Sequence, residues 1–342
     1  MTSHQPLLGK NLRDAEFQDI IGQGHVKDEL KSAILMDRHL ILVGPPGIGK
    51  TTLVKNLSKL LPSMEVVDCG FHCKPGHPLC PDCIARARKD EEAPTKKVKG
   101  EERFIRVQGS PDLTAEDLLG DIDPLKAMKY GPLSLEAFTP GKIFKANNGI
   151  LFFDEVNRCS EKLQNALLQV LEEGKLTIGS YDVDFDANFI FIGTMNPDDN
   201  STEPLSDVFL DRFDIARMRY PESQQVEERI VDTKGHRLVT VPQPVKETLV
   251  RYVRELRQDD KLEKHPSVRA TLGLYERAQA NAYLAGRDEV SFEDLGKAVE
   301  SVIAHRIRLK PSAQFLSTPE AYVRASYDKL MERVDKETGG GR

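Results

Sequence analysis

The chain has 342 residues, of which 39% are hydrophobic and 30% are charged, and its formal net charge is −6. This composition is typical of a soluble globular protein of two or three domains, and the acidic balance argues against a protein that coats nucleic acid. No apolar run approaches the roughly 20 residues that span a bilayer, and residues 1–10 lack the apolar core of a signal peptide. We therefore expect a cytoplasmic protein without a membrane span, whose five cysteines are thiols or metal ligands rather than disulfides.

An apolar segment precedes the first strong motif. Residues 17–23 have the sequence Phe-Gln-Asp-Ile-Ile-Gly-Gln and lead into an amphipathic helix over about residues 25–36. In this position the segment can form a lip that holds the adenine of a nucleotide, and Ile21 is assigned to that lip. Ordinary packing is the alternative.

Residues 44–51 have the sequence Gly-Pro-Pro-Gly-Ile-Gly-Lys-Thr, which fits the phosphate-binding pattern G-x-x-x-x-G-K-[ST]. An apolar run at 39–43 predicts a buried strand before it, and apolar residues at helical spacing in 52–60 predict a helix after it. Backbone N–H groups and the helix N-terminus then bind phosphate, Lys50 reaches the β- and γ-phosphates, and Thr51 binds Mg²⁺. The residues assigned to nucleotide binding here are Gly44, Pro45, Pro46, Gly47, Ile48, Gly49, Lys50, Thr51 and Thr52.

The composition changes between residues 69 and 100, where an insertion holds four cysteines in the spacing C-x₃-C-x₆-C-x₂-C. They are Cys69, Cys73, Cys80 and Cys83. The segment is too polar and proline-rich to build its own core, so a metal ion bound by four thiolates would fold it. We predict Zn²⁺, with His72 or His77 able to replace one cysteine. An iron–sulfur cluster and uncoordinated thiols stay open as alternatives, and Cys159 is a separate, lone thiol.

A second strand is predicted over residues 103–108, and a second insertion over 109–148. In this insertion Thr114 can cap a short helix, and residues 142–146 lead back to the core as another helix.

The run Ile150-Leu151-Phe152-Phe153-Asp154-Glu155 predicts a strand that is buried on both faces and ends in two acids. Ligands bind at the C-terminal ends of strands in an open α/β sheet. Asp154 is assigned to Mg²⁺, directly or through water, and Glu155 to activation of the attacking water as a general base. The alternative is a strand that ends in solvated acids, and the intact phosphate loop counts against it.

Three more elements follow in order: an amphipathic helix over 162–173, a β-hairpin over 176–185 and a buried strand over 188–193. The strand leads into Thr194-Met195-Asn196-Pro197, where the amide of Asn196 could position the attacking water. Arg212 lies between apolar residues in the stretch 209–214. Without context, such an arginine is usually a surface ion-pairing residue.

Helical periodicity replaces the strand pattern after Pro221. Helices are predicted over residues 222–235, 244–257, 268–284 and 292–309, with Ser291 and Asp294 as an N-cap pair for the last one. We place an α/β nucleotide-binding domain at 1–221, a helical domain at 222–310, and a C-terminal helix and tail at 311–342.

The order of phosphate loop, Phe-Phe-Asp-Glu, Thr-Met-Asn-Pro, Leu-Asp-Arg-Phe and helical domain resembles that of the AAA+ ATPases. More narrowly, the chain resembles the magnesium chelatase ATPase subunit and its MoxR relatives, because of residues 140–155, the insertion before them and the hairpin. The resemblance implies a P-loop parallel-sheet core with helices on both faces, followed by a small all-α lid. It also implies ATP and Mg²⁺ as cofactors.

The same resemblance implies roles for three residues outside the phosphate loop. Asn196 matches the sensor-1 residue, and Arg269 matches sensor 2, which reaches the γ-phosphate from the lid. Arg212 matches the arginine finger, which completes the site of the neighbouring subunit. An arginine supplied in this way requires a homo-oligomeric ring, most often a hexamer. The cysteine-rich insertion departs from the basic AAA+ core.

Several function hypotheses compete. The first is a chaperone-like ATPase that remodels a protein partner, typically one with a von Willebrand factor A-type domain; metal insertion into a porphyrin would need the other chelatase subunits. A DNA-acting motor similar to helicases is the alternative, but the acidic balance and the lack of a recognisable DNA-binding domain count against it. A third hypothesis is an ATP-dependent protease similar to archaeal Lon, but we expect no downstream domain in this chain that would supply a Ser–Lys dyad. The last is a non-enzymatic zinc-binding scaffold, and the intact Asp154–Glu155 pair counts against it.

Overall fold

The computed structural model describes residues 12–132, 134–177, 184–197 and 205–339. These residues group into two compact units. The first contains the residues up to Met218 except for two short segments, Ile21–Gln23 and Pro45–Ile48. These segments group with the second unit, which begins at Arg219.

The first unit combines strands and short helices. Its strands are β1 (Leu40–Val43), β2 (Met64–Val67), β3 (Thr95–Val98), β4 (Phe104–Gln108), β5 (Gly120–Ile122), β6 (Phe138–Pro140), β7 (Gly149–Asp154), β8 (Lys175–Thr177), β9 (Asp184–Asp186), β10 (Phe189–Met195) and β11 (Asp214–Arg217). Its helices are α1 (Gly24–Leu35), α2 (Lys50–Ser58), α3 (Pro81–Ala87), α4 (Ala115–Leu119), α5 (Pro124–Tyr130), α6 (Lys142–Lys145), α7 (Glu161–Glu173) and α8 (Asp207–Leu210).

Five of these strands form one sheet in the order β11-β1-β10-β7-β4, and each neighbouring pair is parallel. The C-terminal ends of β1, β7 and β10 therefore meet at one edge, where open α/β sheets bind ligands. The other strands form antiparallel pairs, β2 with β3, β5 with β6, and β8 with β9. The predicted parallel-sheet core is confirmed.

The centre of the sheet is apolar on both faces. All six residues of β7 are buried, and the ring of Phe153 stacks on that of Phe191 in β10 with centroids 5.7 Å apart. Full burial of each such side chain stabilises the fold by about 1.5–3 kcal/mol. This packing fixes the strand that carries Asp154 at its end.

The amphipathic helix predicted over 162–173 is confirmed as α7. The Ser160 hydroxyl caps its N-terminus by accepting a hydrogen bond from the Leu163 backbone, and Gly174 ends it in the left-handed conformation at φ 60°. In the second insertion, Thr114 caps α4 as predicted. The pairing of β8 with β9 confirms the hairpin, while its turn, residues 178–183, lies outside the described residues.

The second unit is mainly helical, as predicted. Its elements are α9 (Gln224–Lys234), α10 (Gln243–Arg257), β12 (Leu262–Lys264), α11 (Val268–Leu284), α12 (Phe292–Ile303), β13 (Arg308–Leu309), α13 (Pro311–Gln314) and α14 (Pro319–Gly339). These helices surround one apolar core, to which α14 contributes Val323, Tyr327, Leu330 and Val334. In the structure, residues 311–339 therefore belong to the helical unit and are not a separate tail.

The prediction of one helix over 292–309 is wrong at its C-terminal end. Helix α12 stops at Ile303, a 3₁₀ turn follows, and β13 pairs with β12 in an antiparallel bridge. Ile307 and Leu309 are buried and Arg308 between them is exposed, which is the alternation of a strand. The predicted capping of α12 by Ser291 and Asp294 is confirmed. Among the described residues, no helix has both the length and the apolar character needed to cross a membrane.

Candidate functional site

In the first unit, the site starts where β1 ends and α2 begins. Gly49 is left-handed at φ 101°, and a Cβ atom on it would lie 3.0 Å from Cδ1 of Ile20, so the turn requires glycine. The Lys50 ammonium donates to the carbonyl of Gly44, and α2 begins at Lys50. Thr51 follows in the first turn, and Thr52 is exposed. The backbone thus has the strand–loop–helix form that the motif predicts.

Asp154 is the central acid of the site and is 8% exposed. Its two carboxylate oxygens have different partners. One accepts a hydrogen bond of 2.6 Å from the hydroxyl of Thr194, at the end of β10. The other accepts a bond of 3.3 Å from the hydroxyl of Thr51 and one of 2.6 Å from the guanidinium of Arg106 on β4. Three strands and the phosphate-loop helix therefore converge on this carboxylate.

Glu155 follows directly in a left-handed conformation, φ 60° and ψ 54°. Its backbone N–H donates to the Thr194 hydroxyl at 2.9 Å. Its carboxylate accepts from the side-chain amide of Gln108 at 2.9 Å and lies 3.3 Å from the guanidinium of Arg158. Thr194 thus binds both acids at once, because its hydroxyl donates to Asp154 and accepts from the backbone of Glu155.

Asn196 and Arg212 lie in the same unit. Asn196 comes directly after β10, and its carbonyl accepts a 3.5 Å bond from the amide of Asn157. Arg212 pairs with Glu172 at 2.8 Å and with Asp211 at 3.0 Å, and its side chain is 29% exposed. Within the described part of the chain, its Nε is buried without a hydrogen-bond partner.

The second unit contains the remaining residues of the loop, Pro45–Ile48, together with Arg269 near the start of α11. Gly47 is left-handed at φ 72°, and a Cβ atom on it would lie 2.8 Å from Cγ of Arg269. The Arg269 side chain therefore packs directly on the loop. Burial, and to a lesser extent the positive charge of Arg269, lower the pKa of Arg306. Ile21 is half-buried in the same unit.

A buried ion pair fixes the start of α11. Glu227 is fully buried, and its carboxylate accepts two 2.6 Å bonds from the guanidinium of Arg257. The hydroxyl of Thr271 donates to the same carboxylate at 2.5 Å, and Arg257 also donates to the carbonyl of Pro266 at 2.9 Å. Because Pro266 and Thr271 flank Arg269, this network holds the helix end that presents the arginine.

The sequence analysis missed several residues of this arrangement, among them Arg106, Gln108, Thr194 and Arg306. Arg106 and Gln108 alternate on a strand that was predicted, and polar residues two apart at the C-terminal end of a parallel strand could have identified them. Thr194 lies in the quoted Thr-Met-Asn-Pro stretch but was not singled out. No local sequence pattern indicates Arg306, because the effects of burial and of the Arg269 charge on its pKa depend on tertiary packing.

The chain has a phosphate loop directly after β1 and two acids at the end of β7, a strand of the same parallel sheet. These features place it in the class of P-loop nucleotide-binding proteins, and its second unit is helical. Three family models match successive parts of the chain. They are described as "Magnesium chelatase, subunit ChlI" over residues 16–69, "ATPase family associated with various cellular activities (AAA)" over 93–215, and "AAA lid domain" over 254–324. Over successive parts of its length, the chain is therefore similar to AAA+ ATPases of the magnesium chelatase ChlI type.

Curated relatives extend over most of the chain. The "Magnesium-chelatase subunit ChlI homolog" of Methanocaldococcus jannaschii is 29% identical over 330 residues, which covers 86% of each chain. The "Uncharacterized protein YeaC" of Bacillus subtilis is 28% identical over 335 residues, which covers 91% of this chain and 89% of that protein. A solved structure of a Thermotoga maritima RuvB mutant covers 84% of this chain and 72% of its own at 15% identity, with a TM-score of 0.50. At that identity it supports the fold alone.

Proposed function

We propose that the chain hydrolyses ATP and uses the energy, as an oligomeric ring, to remodel a protein partner. The observation that carries the proposal is the convergence of Thr51, Asp154 and Glu155 at the C-terminal edge of the sheet. The hydroxyl of Thr51 and the nearer oxygen of Asp154 are 3.3 Å apart. Two cis ligands of an octahedral Mg²⁺ with bonds of about 2.1 Å lie about 3.0 Å apart, so these two groups fit one ion.

In this proposal, Lys50 and the loop N–H groups bind the β- and γ-phosphates, and Thr51 and Asp154 hold Mg²⁺. The bound Mg²⁺ would neutralise charge on the β- and γ-phosphate oxygens. Glu155 acts as the general base that accepts a proton from the attacking water. The amide of Gln108 and the guanidinium of Arg158 hold its carboxylate, while Thr194 holds its backbone.

Three further residues complete the proposed site. Asn196 helps to position the water, and Arg269 contacts the γ-phosphate. Its packing on Gly47 of the phosphate loop supports this role. Arg212 acts on the nucleotide of a neighbouring subunit, which makes a ring, most often a hexamer, part of the proposal. Its guanidinium is partly exposed, with a buried Nε that lacks a partner within the described ranges.

The partner class comes from the family. Because the chain is similar to AAA+ ATPases of the magnesium chelatase ChlI type and resembles MoxR proteins, we propose a partner with a von Willebrand factor A-type domain. The proposal predicts that tagged Glu155→Gln protein with ATP forms rings and retains such a partner, because blocked hydrolysis holds the loaded state. Sizing by light scattering tests the ring, and the purified candidate partner should raise the wild-type ATPase rate. A monomer under all nucleotide conditions, or a partner without effect on the rate, would contradict it.

Thr194→Val is expected to lower the ATPase rate at least 10-fold, and to destabilise the protein by about 1–3 kcal/mol. Valine has nearly the same shape but neither donates to Asp154 nor accepts from the backbone of Glu155. Thr248→Val is the matched control, because Thr248 is also a buried threonine and its hydroxyl donates to a backbone carbonyl, that of Pro244, at 2.8 Å. It should lower stability modestly and leave the rate unchanged. Denaturant unfolding measures the effect on stability, and steady-state ATPase assays measure the effect on rate. Equal ATPase rates for the two variants would show that Thr194 does not support hydrolysis.

A further inference from the structure

The cysteine-rich segment between β2 and β3 has almost no apolar interior. Of residues 68–94, those that are buried are His72, Cys73, Cys80, Pro81 and Cys83. Three of the five are cysteines, and the small cluster that these cysteines form is completed by Val67 and the partly buried Cys69, Phe71, Leu79 and Ala93. So few apolar side chains cannot offset the conformational entropy of ordering this segment, which is about 1–2 kcal/mol per residue.

The four sulfur atoms meet at the centre of this segment. The Sγ atoms of Cys69, Cys73, Cys80 and Cys83 all lie within 4.8 Å of one another, and none of these cysteines is in a disulfide. Four thiolates around one zinc ion, with Zn–S bonds of about 2.3 Å, are about 3.8 Å apart. The observed set therefore fits a single tetrahedral ion after a small contraction.

The backbone around the first pair is arranged to support thiolates. Gly70 and His72 are left-handed, at φ 78° and 55°, which bends the chain between Cys69 and Cys73. The backbone N–H of Phe71 donates to the sulfur of Cys69 at 3.4 Å, and those of Leu79 and Cys80 each donate to the sulfur of Cys73 at 3.3 Å. Hydrogen bonds of this kind orient metal ligands and stabilise their charge.

The second pair comes from a helix start. Cys80 is the N-cap of α3, and Cys83 lies in its first turn. A loop pair with x₃ spacing and a helix pair with x₂ spacing both fall within the range found in structural zinc sites.

We propose that Cys69, Cys73, Cys80 and Cys83 bind one structural Zn²⁺ ion. All four positions are filled by protein, so the ion has no open site for catalysis. Neither His72 nor His77 is assigned as a ligand, because among the described residues the group of converging ligand atoms consists of the four cysteine sulfurs. The Nδ1 of His72 instead lies 2.8 Å from the carbonyl of Lys145, and His77 is exposed. A four-iron cluster would place each thiolate on a different iron and so further apart than one shared ion does.

The zinc module is attached to the segment that leads into β7. Besides the bond from His72 to Lys145, the amide of Asn148 donates to the carbonyl of His72 at 3.1 Å. The rings of Phe71 and Phe144 also pack edge to face, with centroids 6.4 Å apart. Lys145 and Asn148 immediately precede the strand that ends in Asp154. We therefore assign the zinc a second effect, in which it braces the entry to the strand that carries the catalytic acids.

The test uses the full chain purified without added metal. We expect about one zinc per chain by elemental analysis, and visible d–d absorption typical of a tetrahedral thiolate set after exchange with Co²⁺ alone. Cys73→Ser should lose most of the zinc and lower the melting temperature. Cys159→Ala is the control, because Cys159 is a buried cysteine outside the cluster whose pKa burial raises to about 11. It should keep the full zinc content.

A second measurement covers the case in which Cys73→Ser does not fold. Native wild-type protein should show its cluster thiols protected from a thiol reagent until a chelator is added, and Zn²⁺ alone should restore protection, melting temperature and ATPase rate. Native protein without zinc and with these four thiols reactive would overturn the proposal, as would stoichiometric iron or two disulfides. Full ATPase rate and unchanged stability after complete zinc removal would overturn the bracing effect while leaving the ATPase function itself intact.

Discussion

Glu155→Gln should hydrolyse ATP about 10²–10⁴-fold more slowly than the wild-type protein and still bind it. Glutamine has the same shape as glutamate but cannot accept the proton of the attacking water. Its amide oxygen can still accept the hydrogen bond from Gln108, and its backbone N–H can still donate to Thr194, so the local geometry is preserved. The loss is therefore expected in turnover and not in nucleotide affinity.

Steady-state turnover and the affinity for a fluorescent ATP analogue measure the two quantities separately. Glu161→Gln is the matched control, because Glu161 is an exposed glutamate in the first turn of α7, and its rate should stay at the wild-type level. Lys50→Ala should instead lose affinity, since Lys50 is assigned to the phosphates themselves. Wild-type turnover by folded Glu155→Gln protein would show that another group activates the water.

Local sequence patterns predicted the elements that carry the site. Strand β7 has four consecutive apolar residues and is buried over its full length, so its pattern has a direct physical cause. The phosphate loop has left-handed glycines at Gly47 and Gly49, and Gly49 is a fixed position of the motif. Each of these signals depends on neighbours within a few residues, which a single sequence displays.

The contacts between those elements could not be predicted in the same way. The strand order places β10 between β1 and β7, although β10 is separated from both in the chain, and only this order brings Thr194 to Asp154. The cysteine spacing predicted a metal site, but the convergence of four sulfurs follows from the fold of the loop around Gly70 and His72. The Glu227–Arg257 pair is likewise long-range, and no periodicity of the helices indicates it.

The proposed ring can be tested by removing Arg212, because its ion pairs contribute little to the stability of the chain. In the structure its guanidinium is bound to Glu172 and Asp211, which are 56% and 78% exposed. Such exposed pairs contribute only about 0–1 kcal/mol to stability. Arg212→Ala is therefore expected to fold, to bind ATP and to form rings. Arg38→Ala is the matched control, because Arg38 forms a comparable surface pair with Asp214 at 2.7 Å in the same unit.

If Arg212 stabilises charge on the γ-phosphate of a neighbouring subunit, Arg212→Ala should lower turnover by about 10³–10⁵-fold, whereas Arg38→Ala should have no such effect. Mixing Arg212→Ala with the inactive Lys50→Ala protein should restore part of the activity. In a randomly mixed ring, roughly a quarter of the interfaces join an intact phosphate loop to an intact arginine. A residue that acts on its own subunit would give no recovery on mixing, because every chain then carries one lesion at its own site. Wild-type turnover by a dilute sample shown to be monomeric would also exclude the role in a neighbouring site, since a monomer has no second subunit to supply the arginine.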